Sequence, residues 1–395
     1  MIDEVPAYAG RPAPPTDVTP AAMSAWLSSL PTVKKRDLRR GFPKSMVRRS
    51  QDLKQSMAAA QVEIIATSGT SQDRLQILWE WTWWDPQERE AMCLSKQIAD
   101  HMPLLASDRT AFREAVLTTP VCGGATCHIG NLSRAERTVD GMLFLNQVAD
   151  PSHWRAAELD RMVAEWNELE PHGVEADPAY LAALARHVTA TGGKLHAPAY
   201  VTLTYEQITR AARRAIGRVL DCPLLSLYGA TEAGVLFMET EDGELHHNAR
   251  HSHIELLDEG AGLYRIAVTT LGREWMPLLR YELGDVVRLG TASNGPGYRL
   301  ARVEGRLSDC IRTDAGLFTP AALDDLIDGA EPAIESWQLA EEPSGWRLRT
   351  VGSDGNIAAA MLTETLGRPI AASREAAILP EGSGKYRLVR PSENP

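Results

Sequence analysis

Apolar and polar positions change period several times along the chain. Residues 1–20 are rich in Pro and Ala and read as a surface arm, and the first helical pattern covers Pro20 to Leu30. Val62-Glu63-Ile64-Ile65-Ala66 alternates as a strand. Leu75 to Trp84 reads as another, with Trp79, Trp81 and Trp83 on one face and Glu80 and Thr82 on the other. Asp85-Pro86-Gln87-Glu88 then reads as a helix start, with Asp85 as N-cap and Pro86 at the first helical position. Helical periods cover Asp160 to Leu169, Pro178 to Thr191 and Tyr205 to Val219, alternating with strand patterns. Such alternation predicts an α/β architecture with mostly parallel sheets and ligands at the carboxyl ends of strands.

The stretch Leu224 to Glu239, LLSLYGATEAGVLFME, reads as a buried strand, a polar turn and a second apolar run. Downstream the runs shorten: Glu244 to His247, Ile254 to Leu257 and Leu263 to Val268 are separated by Gly-containing turns, which predicts an antiparallel sheet or small β-barrel-like subdomain. Val303 to Asp309 ends that pattern, and a shorter, helix-rich tail follows. The expected division is a large domain over residues 1–305 and a small, mobile α+β domain over 306–395.

Composition narrows the class. The chain of 395 residues is 44% apolar and 24% charged, as soluble globular proteins are, and its net charge of -11 argues against a nucleic-acid partner bound through a general basic surface. No apolar run approaches the length that spans a bilayer, and the acidic start lacks a targeting pattern, so a cytoplasmic protein with no membrane partner is expected. Five cysteines at irregular positions fit reduced thiols.

Several residues carry candidate chemistry. In Tyr228-Gly229-Ala230-Thr231-Glu232, the glycine lets a ligand approach the backbone, Thr231 can bond a phosphate oxygen, and Glu232 offers the hard oxygen that magnesium prefers. The loop Thr67-Ser68-Gly69-Thr70-Ser71 has the hydroxyls and successive N–H groups of a concave anion site. Asp285, after Gly284 in Arg280-Tyr281-Glu282-Leu283-Gly284-Asp285, can accept two hydrogen bonds from a diol such as ribose. Lys385, in the glycine-flanked loop Gly382-Ser383-Gly384-Lys385, can reach across an interface as a point charge. Two clusters invite a metal, Cys122/Cys127/His128 and His246/His247/His251/His253. The first lacks a second Cys/His pair at matching distance, and packed or exposed histidines explain both. The basic cluster Lys34 to Arg40 is assigned no role beyond a solvated face.

The motifs TSGTS at Thr67, YGATE at Tyr228, YELGD at Tyr281, GRLSD at Gly305 and GSGKYR at Gly382 resemble, in that order, those of the adenylate-forming enzymes, the acyl-CoA synthetase and adenylation-domain superfamily. LPTVKKRDLRRGFP and VTTLGREWMPLLRYELGD resemble its phenylacetate-CoA ligase branch. The resemblance spans about Leu30 to Arg390. It implies an ATP- and Mg2+-dependent ligase that turns a carboxylic acid, of aromatic type in that branch, into an acyl-adenylate. The acyl group then passes to a thiol of coenzyme A or a carrier protein. It further implies that Thr67 to Ser71 cradle the β- and γ-phosphates, Thr231 touches the α-phosphate and Glu232 holds magnesium. Asp285 accepts the ribose hydroxyls, Arg306 binds ribose or phosphate near a hinge, and Lys385 bridges carboxylate and α-phosphate. Tyr228, Gly229 and Ala230 complete the nucleotide motif.

The chain departs from that pattern in three places. Gln72, Asp73 and Arg74 stand where a glycine and a lysine usually continue the phosphate loop, and Arg74 is the candidate replacement charge. Ser308 followed by Asp309 replaces the hinge aspartate, and Tyr200 to Glu206 takes the place of the acidic adenine motif. An amine acceptor, or a degenerate nucleotide-binding protein without turnover, are the competing expectations.

Overall fold

A computed structural model describes residues 4–67, 74–101, 111–119, 128–292 and 296–392. Ser68, Gly69, Thr70 and Ser71 of the hydroxyl-rich loop, with Gln72, Asp73, Cys122 and Cys127, lie outside the described residues. The chain divides into two compact units, each discontinuous in sequence. One comprises Met1–Leu94, Tyr228–Met238 and Glu244–Ala301, the other Ser95–Leu227, Glu239–Gly243 and Arg302–Pro395.

In the first unit the short apolar runs pair as expected. Ser252–Gly260, Leu263–Thr270 and Tyr281–Leu289 form an antiparallel run, with Ile254 opposite Val268 and Val268 opposite Tyr281. Ile254, Ile266, Val268, Tyr281 and Val286 face inward and are almost wholly buried. The strand Glu63–Ala66 pairs with Gln76–Trp79 as a separate hairpin.

The tryptophan-rich segment departs from expectation. The strand stops at Trp79, and a helix runs from Trp81 to Met92 with Glu80 as its N-cap and Pro86 in its interior. Alternation alone read Trp81 and Trp83 as strand positions, but helical spacing brings Trp84 back onto Trp79, with ring centroids 4.0 Å apart. Trp83 is buried and donates its indole N–H to the Leu271 carbonyl at 3.0 Å. Packing of three large rings outweighs one backbone hydrogen bond lost to a proline.

The second unit carries the α/β part. Glu114–Leu117 lies parallel between Met142–Phe144 and Gly173–Ala176, and Tyr200–Leu203 and Leu224–Ala230 extend the run in parallel. Connecting helices Ala156–Leu169, Pro178–Thr191 and Arg210–Gly217 bury Met162, Trp166, Leu181, Leu184, Val188 and Ile216. Pro178–Thr191 is delimited as its sequence directs: Asp177 caps its N-terminus, Pro178 follows, and Gly192 closes it at φ 67°. The residues after Arg306 in this unit contain more sheet than a helix-rich tail. Ile370–Arg374, Gly345–Val351, Ser336–Glu342 and Val389–Arg390 form a four-stranded sheet, with helices Pro320–Ala330 and Asn356–Leu366 sharing its core.

Candidate functional site

The strand Leu224–Ala230 ends in a tight turn, where the Ala233 N–H bonds the Ala230 carbonyl at 2.8 Å. Gly229 is required here by the chain itself. A Cβ at this position would stand 2.4 Å from the Gly234 carbonyl oxygen and 2.9 Å from Val235 Cα. The following strand packs directly against Gly229 on the side a Cβ would occupy. Gly234, at φ +86°, is equally constrained: its Cβ would meet the Gln87 side chain at 2.7 Å.

Beyond that turn two carboxylates are each held by a tyrosine. Tyr228 donates its hydroxyl to Asp285 Oδ2 at 2.8 Å. Tyr281 donates to Glu232 Oε1 at 2.7 Å, and Glu232 is only 8% exposed. Tyr281 and Asp285 lie on one strand, Tyr281–Leu289, and meet the two ends of the YGATE turn. Arg273 holds the Glu232 carbonyl from behind, bonds the Leu78 carbonyl at 2.9 Å and lies 4.8 Å from the Trp83 ring centre. Burial lowers its pKa to about 10, against the attraction of Glu80 and Glu232. Burial raises Glu80, whose carboxylate accepts the N–H groups of Glu274 and Trp275 at 3.0 and 2.9 Å. Arg273 thus ties the turn to the Leu78 backbone, and Glu80 holds the residues that follow Arg273. Sequence reading assigned Glu80 and Arg273 no role, although Arg273 stands within the quoted VTTLGREWMP stretch.

Thr67 sits at the base of the hydroxyl-rich loop. Its backbone N–H bonds the Leu75 carbonyl at 2.8 Å, and its Oγ1 accepts the Leu75 N–H at 3.0 Å, so it clamps the loop ends together. Arg39, an exposed member of the basic cluster, donates to the Arg74 carbonyl at 3.0 and 3.2 Å.

Arg306 and Lys385 belong to the second unit. Arg306 ends a strand, and the Gly305 before it packs so tightly that a Cβ would stand 2.7 Å from Pro320. Asp309 accepts two hydrogen bonds from Arg387, at 3.0 and 2.8 Å, and so ties the hinge segment to the GSGKYR loop. Tyr386 in that loop donates its N–H to Glu206 Oε2 at 2.6 Å, and the Tyr180 hydroxyl lies 2.6 Å from the Ala149 carbonyl and 3.1 Å from that of Gly384.

The histidine clusters are packed. His247 stacks on Phe237 at 5.2 Å and on Tyr298 at 6.3 Å, its Nε2 lies 2.9 Å from Ser252 Oγ, and burial lowers its pKa to about 4. His251 pairs with Glu90 at 3.1 Å. His128 stacks on Phe144 at 5.0 Å, and burial first, then Arg137, lowers it to about 4. No group of three or more metal-ligating side chains occurs among the described residues.

The donor set suits magnesium as nucleotide enzymes hold it, through one or two carboxylates with the remaining positions on water and phosphate. Glu232 would offer one carboxylate, one of whose oxygens accepts the Tyr281 hydroxyl.

The chain has the fold of the adenylate-forming enzymes. It superposes on 2-hydroxyisobutyryl-CoA ligase in the postadenylation state, in complex with R3-HIB-AMP, with a TM-score of 0.64 over 92% of this chain and 80% of that one, at 13% identity. The anthranilate CoA ligase AuaEII in complex with anthranoyl-AMP gives 0.55 over 82% and 65% at 13% identity. The amide bond synthetase McbA from Marinactinospora thermotolerans gives 0.51 over 92% and 76% at 17% identity. In sequence the chain is 24% identical over 204 residues to protein CapK of Staphylococcus aureus, a match covering 50% of this chain and 45% of that protein, less than half its length. No family model matches the chain. Among the described residues no helix is long and apolar enough to cross a membrane.

Proposed function

We propose that this protein activates a carboxylic acid by adenylation with ATP and Mg2+ and hands the acyl group to a second substrate. The observation that carries the reading is the pair of tyrosine-held carboxylates, Asp285 with Tyr228 and Glu232 with Tyr281, in a chain with this fold. Asp285 accepts ribose hydroxyls, Glu232 ligates magnesium, and Thr231 faces the α-phosphate. Magnesium, when bound, neutralises phosphate charge as the carboxylate attacks. Thr67 closes the loop whose residues Ser68 to Ser71 hold the outer phosphates. Arg306 contacts ribose or phosphate, and Lys385, carried by residues 306–395 as a mobile lid, stabilises the charge growing between acid and α-phosphate.

The acid is aromatic, on the strength of the phenylacetate-CoA ligase resemblance in LPTVKKRDLRRGFP and VTTLGREWMPLLRYELGD. The acceptor is a thiol of coenzyme A or a carrier protein. An amine is the second acceptor to test, since an amide bond synthetase shares the fold. Acid-dependent exchange of labelled pyrophosphate into ATP, run across a panel of aryl and aliphatic acids, tests the first half-reaction. Adding coenzyme A or amines to the active acid then identifies the acceptor. Nucleotide binding without exchange for any acid would sink the adenylation reading and leave a binding protein.

A further inference from the structure

The loop that carries Lys385 rests on a pair of acidic side chains that the reaction outlined above does not use. Asp177 is wholly buried at the N-terminus of the helix Pro178–Thr191, where its Oδ1 accepts the N–H groups of Ala179 and Tyr180 at 2.9 and 3.4 Å. Its Oδ2 is equally buried and has no hydrogen-bond donor. The group it meets is the carboxyl of Glu206, another acceptor, whose Oε2 already receives the Tyr386 N–H at 2.6 Å. Two ionised carboxylates in this arrangement would leave a buried acceptor unpaired beside a like charge. One proton resolves both defects, because a protonated carboxyl donates to its neighbour.

We propose that Asp177 and Glu206 share one proton and form a latch that docks the Lys385 loop, a positioning pair that grips the loop while the proton is present. The surroundings define the charge balance. Lys385 and Tyr386 face the pair from the loop and Tyr180 from the helix Pro178–Thr191; Asp150, from the segment before Pro151–His153, acts on Tyr180 and Tyr386, and Arg186 lies beside Tyr386. One shared proton leaves a single negative charge opposite the Lys385 ammonium, so the docked pocket is close to neutral. The Tyr180 hydroxyl lies over it, 2.6 Å from the Ala149 carbonyl and 3.1 Å from that of Gly384.

Burial pushes Asp177 up to about 7 and raises Glu206 well above the usual carboxylate range. With the loop undocked, water reaches the pair and both values fall back toward ordinary ones. Docking therefore takes up a proton. It is strongest in acid and weakens as pH rises through the raised values of the two acids.

The test reads docking directly and does not depend on turnover. Amide hydrogen exchange of the segment 382–388, corrected for the intrinsic pH dependence, is compared at about pH 5 and about pH 8 in the parent, Asp177→Asn and Glu206→Gln proteins. Asparagine keeps the helix cap, and either amide donates permanently in place of the shared proton. The parent should lose about tenfold or more in protection at the higher pH, while both variants change by less than about twofold. Pyrophosphate exchange is followed in parallel, and its pH dependence should flatten in the same two variants. A parent whose protection is independent of pH, or variants that track the parent, would overturn the latch. The activity arm alone rests on the adenylation reading: no exchange activity with the protection pattern intact would remove that reading and leave the latch standing.

Discussion

Tyr228 and Asp285, 57 positions apart in sequence, are joined by a hydrogen bond of 2.8 Å from the tyrosine hydroxyl to Oδ2 of the aspartate. Through it the end of the strand Leu224–Ala230 fixes the rotamer of a carboxylate on Tyr281–Leu289. Tyr281 does the same for Glu232, in the turn after that strand, in the opposite sense. Preorganisation of this kind saves the ordering cost at the moment a ligand binds.

Asp285→Ala should weaken ATP binding by two charge-assisted hydrogen bonds, each worth about 1.5–3 kcal/mol. Tyr228→Phe keeps the carboxylate and removes its brace, and should cost about tenfold or less. Titration calorimetry with ATP on the folded variants checks the order, and equal affinity in parent and Asp285→Ala would remove Asp285 from the site.

Gly229→Ala should act on the fold. The added methyl would stand 2.4 Å from the Gly234 carbonyl, so the backbone must move, at a cost of roughly 2 kcal/mol or more. Thermal unfolding should fall clearly below the parent. A variant with parental stability and selectively lost ATP binding would instead support a ligand contact at Gly229.

Lys385→Ala should depress adenylation by about a hundredfold or more, as deletion of a transition-state charge stabiliser does. Acyl transfer from a pre-made adenylate should stay near the parental rate. The two half-reactions, measured separately, decide this: equal losses would make Lys385 structural.

Acid should destabilise the first unit through His247. Its pKa falls from the ordinary 6.5 to about 4 because burial penalises the charged ring. The unfolded chain therefore binds the proton first, and stability present above about pH 6.5 is lost as pH falls toward 4, by up to about 1.4 kcal/mol per pH unit. His247→Phe should narrow the difference in denaturant midpoint between about pH 7 and about pH 5; an unchanged difference would assign the acid sensitivity elsewhere.

Period and punctuation by themselves determined the elements whose signals are local. Asp177-Pro178 and Gly192 bracket a helix that runs from Pro178 to Thr191 as read, and the strand Leu224–Ala230 ends at its polar turn. The order of motifs likewise foretold the fold, because turns that shape a site need particular residues at particular strand ends. Tertiary structure decided the rest. The Trp79–Trp84 contact made a helix where alternation read a strand, since ring packing over six residues outweighs a local pattern. It also revealed that the following strand packs against Gly229, that Arg273 holds the turn while Glu80 holds the backbone beside Arg273, and that Glu206 meets Asp177 29 residues away. These depend on where separate elements come together, and a buried acid announces itself only when its neighbour in space is also an acid.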